Sequence, residues 1–306
     1  MSQTEATATI NAAQASLAAN APSGRVSKRA STWTRFSRHK LALIGVFILL
    51  TLVILAVFSP WIAPNDPYQT NLRHIGEKPS SEFWLGTDNS GRDVFARVTL
   101  AGRVSLQVGL VAVSIYTTIG VIVGAVAGYY GGIVDSSLMR LADIFLAFPS
   151  LIIIITLVSV LGPSMWNIMA VIGLLGWPPI ARIVRGQFLS LREQEFIVAS
   201  RTVGSRGRRI MFRHLLPNAL APVIVAATFG MASAILLEAG LSFLGLGVQP
   251  PTPTWGNMLT DAQSLTILQN MLWLWIPPGM MIALAVLSIN FIGDGLRDAL
   301  DPHHTR

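Results

Sequence analysis

The chain has 306 residues, of which 22 are Lys or Arg and 15 are Asp or Glu, so only 12 % is charged while 52 % is hydrophobic. An ordinary soluble domain carries about 25 % charged residues; with a mean hydropathy of +0.57, this chain can neither wet a soluble surface nor stay disordered over most of its length. The absence of Cys also excludes a disulfide scaffold, a thiolate metal site and a Cys nucleophile.

In chain order, residues 1–24 are rich in Ala, Ser, Thr and Asn, and the whole of 1–34 reads as a disordered tail. The first apolar run, Leu41–Phe58, is long enough to span a bilayer, which takes about 20 residues. It exceeds the apolar core of a cleaved signal peptide and is expected to remain as an anchor. Residues Ser59–Arg103 follow, with turn-forming Pro60, Asn65-Asp66-Pro67, Pro79, Gly86 and Gly91. Within them, Gly86 and Gly91 have the spacing of a phosphate loop. Arg92-Asp93 stands where Lys and Ser/Thr would be needed, so this is no nucleotide site. Further spans are expected at Ser105–Gly128, Ile144–Leu161, Met165–Ile183, Leu220–Gly240 and Met271–Ile292. Gly120, Gly124 and Gly128 form a small-residue ridge for close helix packing, within the chain or at a subunit interface. A second polar stretch, Gln249–Asn270, contains Trp255, expected at the membrane interface.

Six spans place both termini on one side, and charge decides which. Seventeen of the 22 basic residues lie on one side: six before the first span, eight between the fourth and fifth, and Arg140, Arg297 and Arg306. Only Arg73, Lys78, Arg92, Arg97 and Arg103 fall opposite. The positive-inside rule puts both termini in the cytoplasm. The pI near 10.5 then reflects orientation and contact with anionic membrane lipid rather than nucleic-acid binding. The five His have no carboxylates at ligand spacing, so no metal site is expected. Glu238 is the one acid deep in an apolar run, a candidate intramembrane polar site by default. Its place near the outer end of the span favours a structural carboxylate that reaches water or hydrogen-bonds to a loop.

The segment Gln187–Asn218 is the most informative. Ser190-Leu191-Arg192-Glu193 has capping-box spacing and predicts a helix start. Phe196, Ala199, Ser200 and Val203 then share one face, and Gly204 stands where a helix ends in the left-handed region. Arg206, Arg208, Arg209 and Arg213 precede Leu216-Pro217, where Pro217 can open the next helix. Composition alone allows two readings: a helix resting on anionic lipid, or one inserting into a groove on a cytoplasmic partner.

The residues Glu195, Ala199-Ser200-Arg201, Gly204, His214 and Leu216-Pro217 resemble the cytoplasmic signature of ABC importer permease subunits of the binding-protein-dependent type. Ser200 replaces a second Ala and His214 an Ile of the general pattern; Arg-His-Leu-Leu-Pro-Asn fits the peptide branch. Leu41–Pro67, Leu85–Asp88 with Gly91–Asp93, Asp143–Pro149, Leu241–Asn257 and Gly293–Pro302 are similar to the C-type subunits of dipeptide/oligopeptide importers. The likeness covers about residues 35–302.

The resemblance implies an all-α, polytopic type I ABC importer transmembrane domain in the inner membrane of a prokaryote. Its parts would be the tail 1–34, a peptide-permease module 35–100, a five-helix core 101–295 with coupling loop 187–218, and a C-terminal tail 296–306. Glu195, Phe196, Ala199, Ser200, Arg201, Gly204, His214, Leu216 and Pro217 would form the ATPase-coupling site. The chain would be non-catalytic and hold no cofactor; ATP and magnesium would sit on two partner ATPase subunits. A second homologous permease, an extracytoplasmic substrate-binding protein and a peptide cargo complete the expected partners. Nickel or short oligosaccharides are alternative cargoes in the same class. A self-sufficient secondary carrier would call for several buried acids or paired broken helices, and a membrane-embedded enzyme for a catalytic cluster; the sequence offers neither.

Overall fold

The computed structural model describes residues 32–300. The remainder of the expected N-terminal tail and residues 301–306 of the C-terminal one lie outside the described residues. Among the described residues the chain is helical, with no strand beyond an isolated bridge between Thr87 and Asp93.

The short α1 (Thr32–Phe36), which includes the last residues assigned to the tail, leads into α2 (Lys40–Val57). The His39 Nδ1 accepts from the Ala42 N–H at 3.1 Å and opens α2. A short α3 (Ser59–Ile62) and a turn-rich segment follow. Next comes α4 (Val94–Tyr130), 37 residues and about 55 Å long at 1.5 Å per residue. It starts eleven residues before the predicted span because Asp93 caps it, Oδ1 accepting from Phe95 N–H (2.8 Å) and Ala96 N–H (3.2 Å). This helix also runs through the expected division between residues 100 and 101. It stops at Gly131, whose φ of +67° reverses the chain.

The third predicted span is broken. In place of one helix there are α5 (Gly132–Ala147) and α6 (Ser150–Leu161), bent by 82°. Pro149 is the cause: it pushes Phe148 out of the helical region to φ −102°, ψ 142°. Then α7 (Met165–Leu175) and α8 (Trp177–Leu191) continue as one apolar run, joined at Gly176. Helices α9 (Glu195–Thr202) and α10 (Gly207–Ile210) precede a π turn, Met211–Leu215, and α11 (Leu216–Phe243). Two short helices, α12 (Trp255–Met258) and α13 (Leu265–Asn270), lead to α14 (Leu272–Leu300), which takes in the first part of the expected C-terminal tail. Among the described residues, five helical runs are long and apolar enough to cross a membrane, six if the bent pair counts as one.

The long α4 is the axis. Added Cβ atoms at Gly120 and Gly128 would lie 2.6 Å from the Cβ atoms of Ile180 and Phe188, and one at Gly124 would lie 2.7 Å from Val184. The small-residue ridge therefore seats α8 within the chain. These pairs rise together in number, so α4 and α8 run the same way and α5–α6 carry the chain back between them. Arg185 grips Asp135 through two bonds of 2.5 and 2.6 Å, and Arg182 reaches Asp143 at 2.5 Å, tying α5 to α8. On the other flank α14 packs on α2 and α11, and His39 approaches Asp298 at 3.5 Å. One core joins α4, α7, α8 and α11; a second joins α2, α4, α12 and α14.

Candidate functional site

Residues 187–218 gather at one end of the bundle. The predicted helix start at Ser190–Glu193 is not observed. There α8 continues to Leu191, and the Arg192 N–H still bonds the Phe188 carbonyl at 3.0 Å. The hydrophobic Leu191 packs on the core, which rewards one more turn of α8 over a new cap. The new helix begins instead at Glu195, after Gln194 in an extended conformation (φ −70°, ψ 144°) with no side-chain cap bond.

Helix α9 is held from beneath by one residue. Ile197 is fully buried and joins the core beside Phe188, Ile210, Met211 and Leu215. The face predicted from the sequence points away: Phe196 is 47 % and Val203 87 % exposed, Ala199 is exposed and Ser200 half-buried. Glu195 and Arg201 are exposed on the same short helix, each at the end where its charge suits the helix dipole. Gly204 ends the helix as predicted, at φ +78°. Its N–H bonds the Arg201 carbonyl at 2.9 Å, and the Ser205 N–H bonds Ser200 at 3.1 Å. This paired closure needs a left-handed residue, which Gly supplies at least cost.

Beyond the turn, Gly207 lies so close to the Tyr129 hydroxyl that any Cβ would collide with it, fixing α10 on the end of α4. Pro217 is the second residue of α11, in its first turn, and α10, the π turn and α11 form one continuous run from Gly207 to Phe243. The π turn carries the Leu216 N–H to the Met211 carbonyl, so the wider loop falls where Pro217 lacks a donor. His214 is half-buried in that turn, its carbonyl accepting from the Asn218 amide at 2.6 Å. Leu216 packs against the core, whereas Pro217 is exposed.

Glu238 sits near the opposite end of α11 and is fully buried, so it does not reach water. The Ser242 hydroxyl donates to Oε1 at 2.7 Å and the Ser105 hydroxyl to Oε2 at 3.3 Å. Ser105 in turn accepts from the Trp255 N–H at 3.2 Å. The carboxyl thus links α4, α11 and α12. Trp255, expected at the membrane interface, is instead 1 % exposed. Its indole N–H donates to the Val98 carbonyl at 3.0 Å, and Gly102 leaves room for the ring. A satisfied N–H and an apolar slot make the interior the better place for it.

A polar cluster near this end was missed by sequence reasoning. Asp88 Oδ2 lies 2.7 Å from Arg92 Nε and 3.5 Å from Arg97 Nε. Asn89 donates to Asp261 at 3.3 Å across 172 residues. Burial and the nearby Asp88 charge push the Asp261 carboxyl above the usual aspartate range, against the bond from Asn89 and the attraction of Arg92 and Arg97. The sequence signal was Arg97, a charge one turn into a long apolar helix. Among the described residues no group of three or more His, Asp or Glu is placed to hold a metal ion.

Residues 120–306, more than half of the chain, match the family described as "Binding-protein-dependent transport system inner membrane component". The chain belongs to that family. It is a multi-pass inner-membrane transport component and not a catalytic subunit. Residues 27–79 match the N-terminal transmembrane domain of oligopeptide transport permease C, which agrees with the likeness seen in Leu41–Pro67. A dipeptide transport system permease protein of Alkalihalophilus pseudofirmus is 44 % identical, over 90 % of each chain. An oligopeptide transport system permease protein of Bacillus subtilis is 40 % identical, over 91 % of this chain and 92 % of its own. A putative peptide permease protein of Brucella suis is 44 % identical, over 88 % and 89 %.

Proposed function

We propose that this chain is one of two permease subunits of an ATP-driven importer of di- or oligopeptides. It would pair with a second, homologous permease to enclose the path, receive cargo from an extracytoplasmic binding protein, and be driven by two cytoplasmic ATPases that carry the ATP and magnesium. Peptide cargo is favoured over nickel or oligosaccharide by the peptide systems to which the similar proteins belong. Six spans with both termini cytoplasmic are supported by the parallel course of α4 and α8, by the bent return of α5–α6 and by the basic residues crowded around α9.

The observation that carries the reading is α9. A short helix anchored by Ile197, with Phe196, Ala199 and Val203 turned outward, is shaped to seat in a groove on a partner. Glu195 to Gly204 would be the coupling helix, and His214, Leu216 and Pro217 would join it to α11. Closure of the ATPase pair on ATP would move α9 as a rigid body, and α11 would pass that motion toward Glu238. A path that opens to one side at a time follows from such rocking.

Replacing Gly204 with Glu tests this. The left-handed backbone disfavours any side chain by roughly 1–2 kcal/mol, and the new acid would lie in the docking face. Uptake by the reconstituted complex should fall at least tenfold while the chain still inserts and the ATPases still hydrolyse ATP. Normal uptake would refute the assignment of α9.

A further inference from the structure

At the end of the bundle opposite α9, between the start of α4, the end of α11 and the start of α14, lies a cavity of about 300 Å³. Its walls are unlike each other. Arg92 and Arg97 share a single carboxylate oxygen of Asp88, so that side carries one net positive charge. Arg97 is only 4 % exposed and spends one further N–H on the Pro67 carbonyl at 3.2 Å. Asp261 lines the same cavity yet, among the described residues, forms no ion pair; it accepts from the neutral Asn89 amide. The rest of the wall is mixed, with apolar Val94, Met258 and Leu274 beside polar Ser242, Asn257 and Thr260. Opposite charges held apart in a partly buried space are costly to maintain. A bare anion would meet Asp261, and a bare cation two guanidinium groups. A molecule with both charges satisfies both sides.

We propose that this cavity binds a small α-amino zwitterion, its carboxylate on Arg92 and Arg97, its ammonium on Asp261 and its side chain against Val94, Met258 and Leu274. The shared chemistry belongs to free apolar amino acids and to short peptides. The volume lies at the small end for ligand pockets and suits a molecule of one or two residues. The inference deepens the importer reading and rests on it for cargo of this class. The cavity also touches Ser242, whose hydroxyl is held by Glu238, so an occupant would adjoin the network that fixes α12 to α4 and α11.

The test is equilibrium binding of labelled leucine and of labelled leucyl-leucine to the complete transporter in nanodiscs, without the binding protein. Leucinamide and N-acetyl-leucine, and the corresponding derivatives of leucyl-leucine, each lack one charge. We expect saturable binding of at least one zwitterion, weakened tenfold or more both by loss of either ligand charge and by Asp261→Asn. Binding of the dipeptide alone would make the cavity a cargo site; binding of leucine alone would make it an effector site. Both uphold the proposal. Absence of saturable binding to the wild-type complex, or equal binding of the analogues, overturns it whatever the stability of the variant. Peptide uptake measured in parallel with the binding protein keeps the two readings separate. Uptake without binding refutes the cavity alone, and binding without uptake refutes the peptide importer alone.

Discussion

Two short helices lie at opposite ends of the bundle, α12 and α9, and they are attached in contrary ways. The first, α12, is sunk into the bundle. Trp255 is buried with both of its N–H groups bonded, a Cβ added at Gly256 would lie only 2.6 Å from the Ala239 Cα, and Thr254 and Asn257 cap the helix reciprocally. The second, α9, rests on one buried side chain, Ile197, and leaves Phe196, Val198 and Val203 outside. Side-chain hydrogen bonds hold the first; a single apolar anchor and a glycine turn hold the second. The difference teaches where the chain resists motion and where it is prepared to be moved by something else.

The comparison breaks most sharply at the anchor. Ile197→Ala should cost about 2–5 kcal/mol of local stability through the cavity it leaves. Hydrogen exchange should show faster opening over residues 194–205 and unchanged protection at α12. An effect of similar size is expected from Glu238→Leu, which strands the Ser105 and Ser242 hydroxyls at about 1–3 kcal/mol per unsatisfied group. It should lower the melting temperature of the purified chain and loosen α12, whereas Glu238→Gln should retain much of the network. Gly124→Leu would overpack the α4–α8 contact by about 1–3 kcal/mol without favouring either end. Val203→Ser should shift stability by less than about 0.5 kcal/mol and yet reduce uptake. Such a split between folding and transport is what a docking face, as opposed to a packing face, requires.

The smallest expected effect is a pH dependence at the α12 end. The folded chain holds the Asp261 carboxyl above its unfolded value. Between those two values the folded state binds the proton more tightly, so stability falls as pH rises through that window. Thermal melts across it should show this slope, and Asp261→Asn should flatten it.

Much of this was legible in the sequence. Apolar runs gave the long helices to within a few residues for α2, and the four-residue spacing of Gly120, Gly124 and Gly128 marked a close packing that the structure seats on α8. Gly204 was readable because a helix-ending left-handed turn leaves few other choices. What misled was local pattern in a long-range setting. Ser190–Glu193 looked like a cap, but Leu191 had a core to reach. Trp255 looked interfacial, but the Val98 carbonyl and the gap at Gly102 could be supplied only by another segment. Pro149 was visible in the third run, yet the 82° bend depends on how α5 and α6 pack. The Asp88, Arg92, Arg97 and Asp261 cluster was hidden because residues 88 and 261 meet only after folding.

The most direct test of the central claim asks what α9 touches in the working complex. A photoreactive phenylalanine analogue placed at Val203 in the assembled transporter should cross-link to an ATPase subunit, and the same analogue at the exposed Trp84 should not. Cross-linking of Val203 to lipid alone, with the ATPases present and active, would contradict the claim that α9 is the coupling helix.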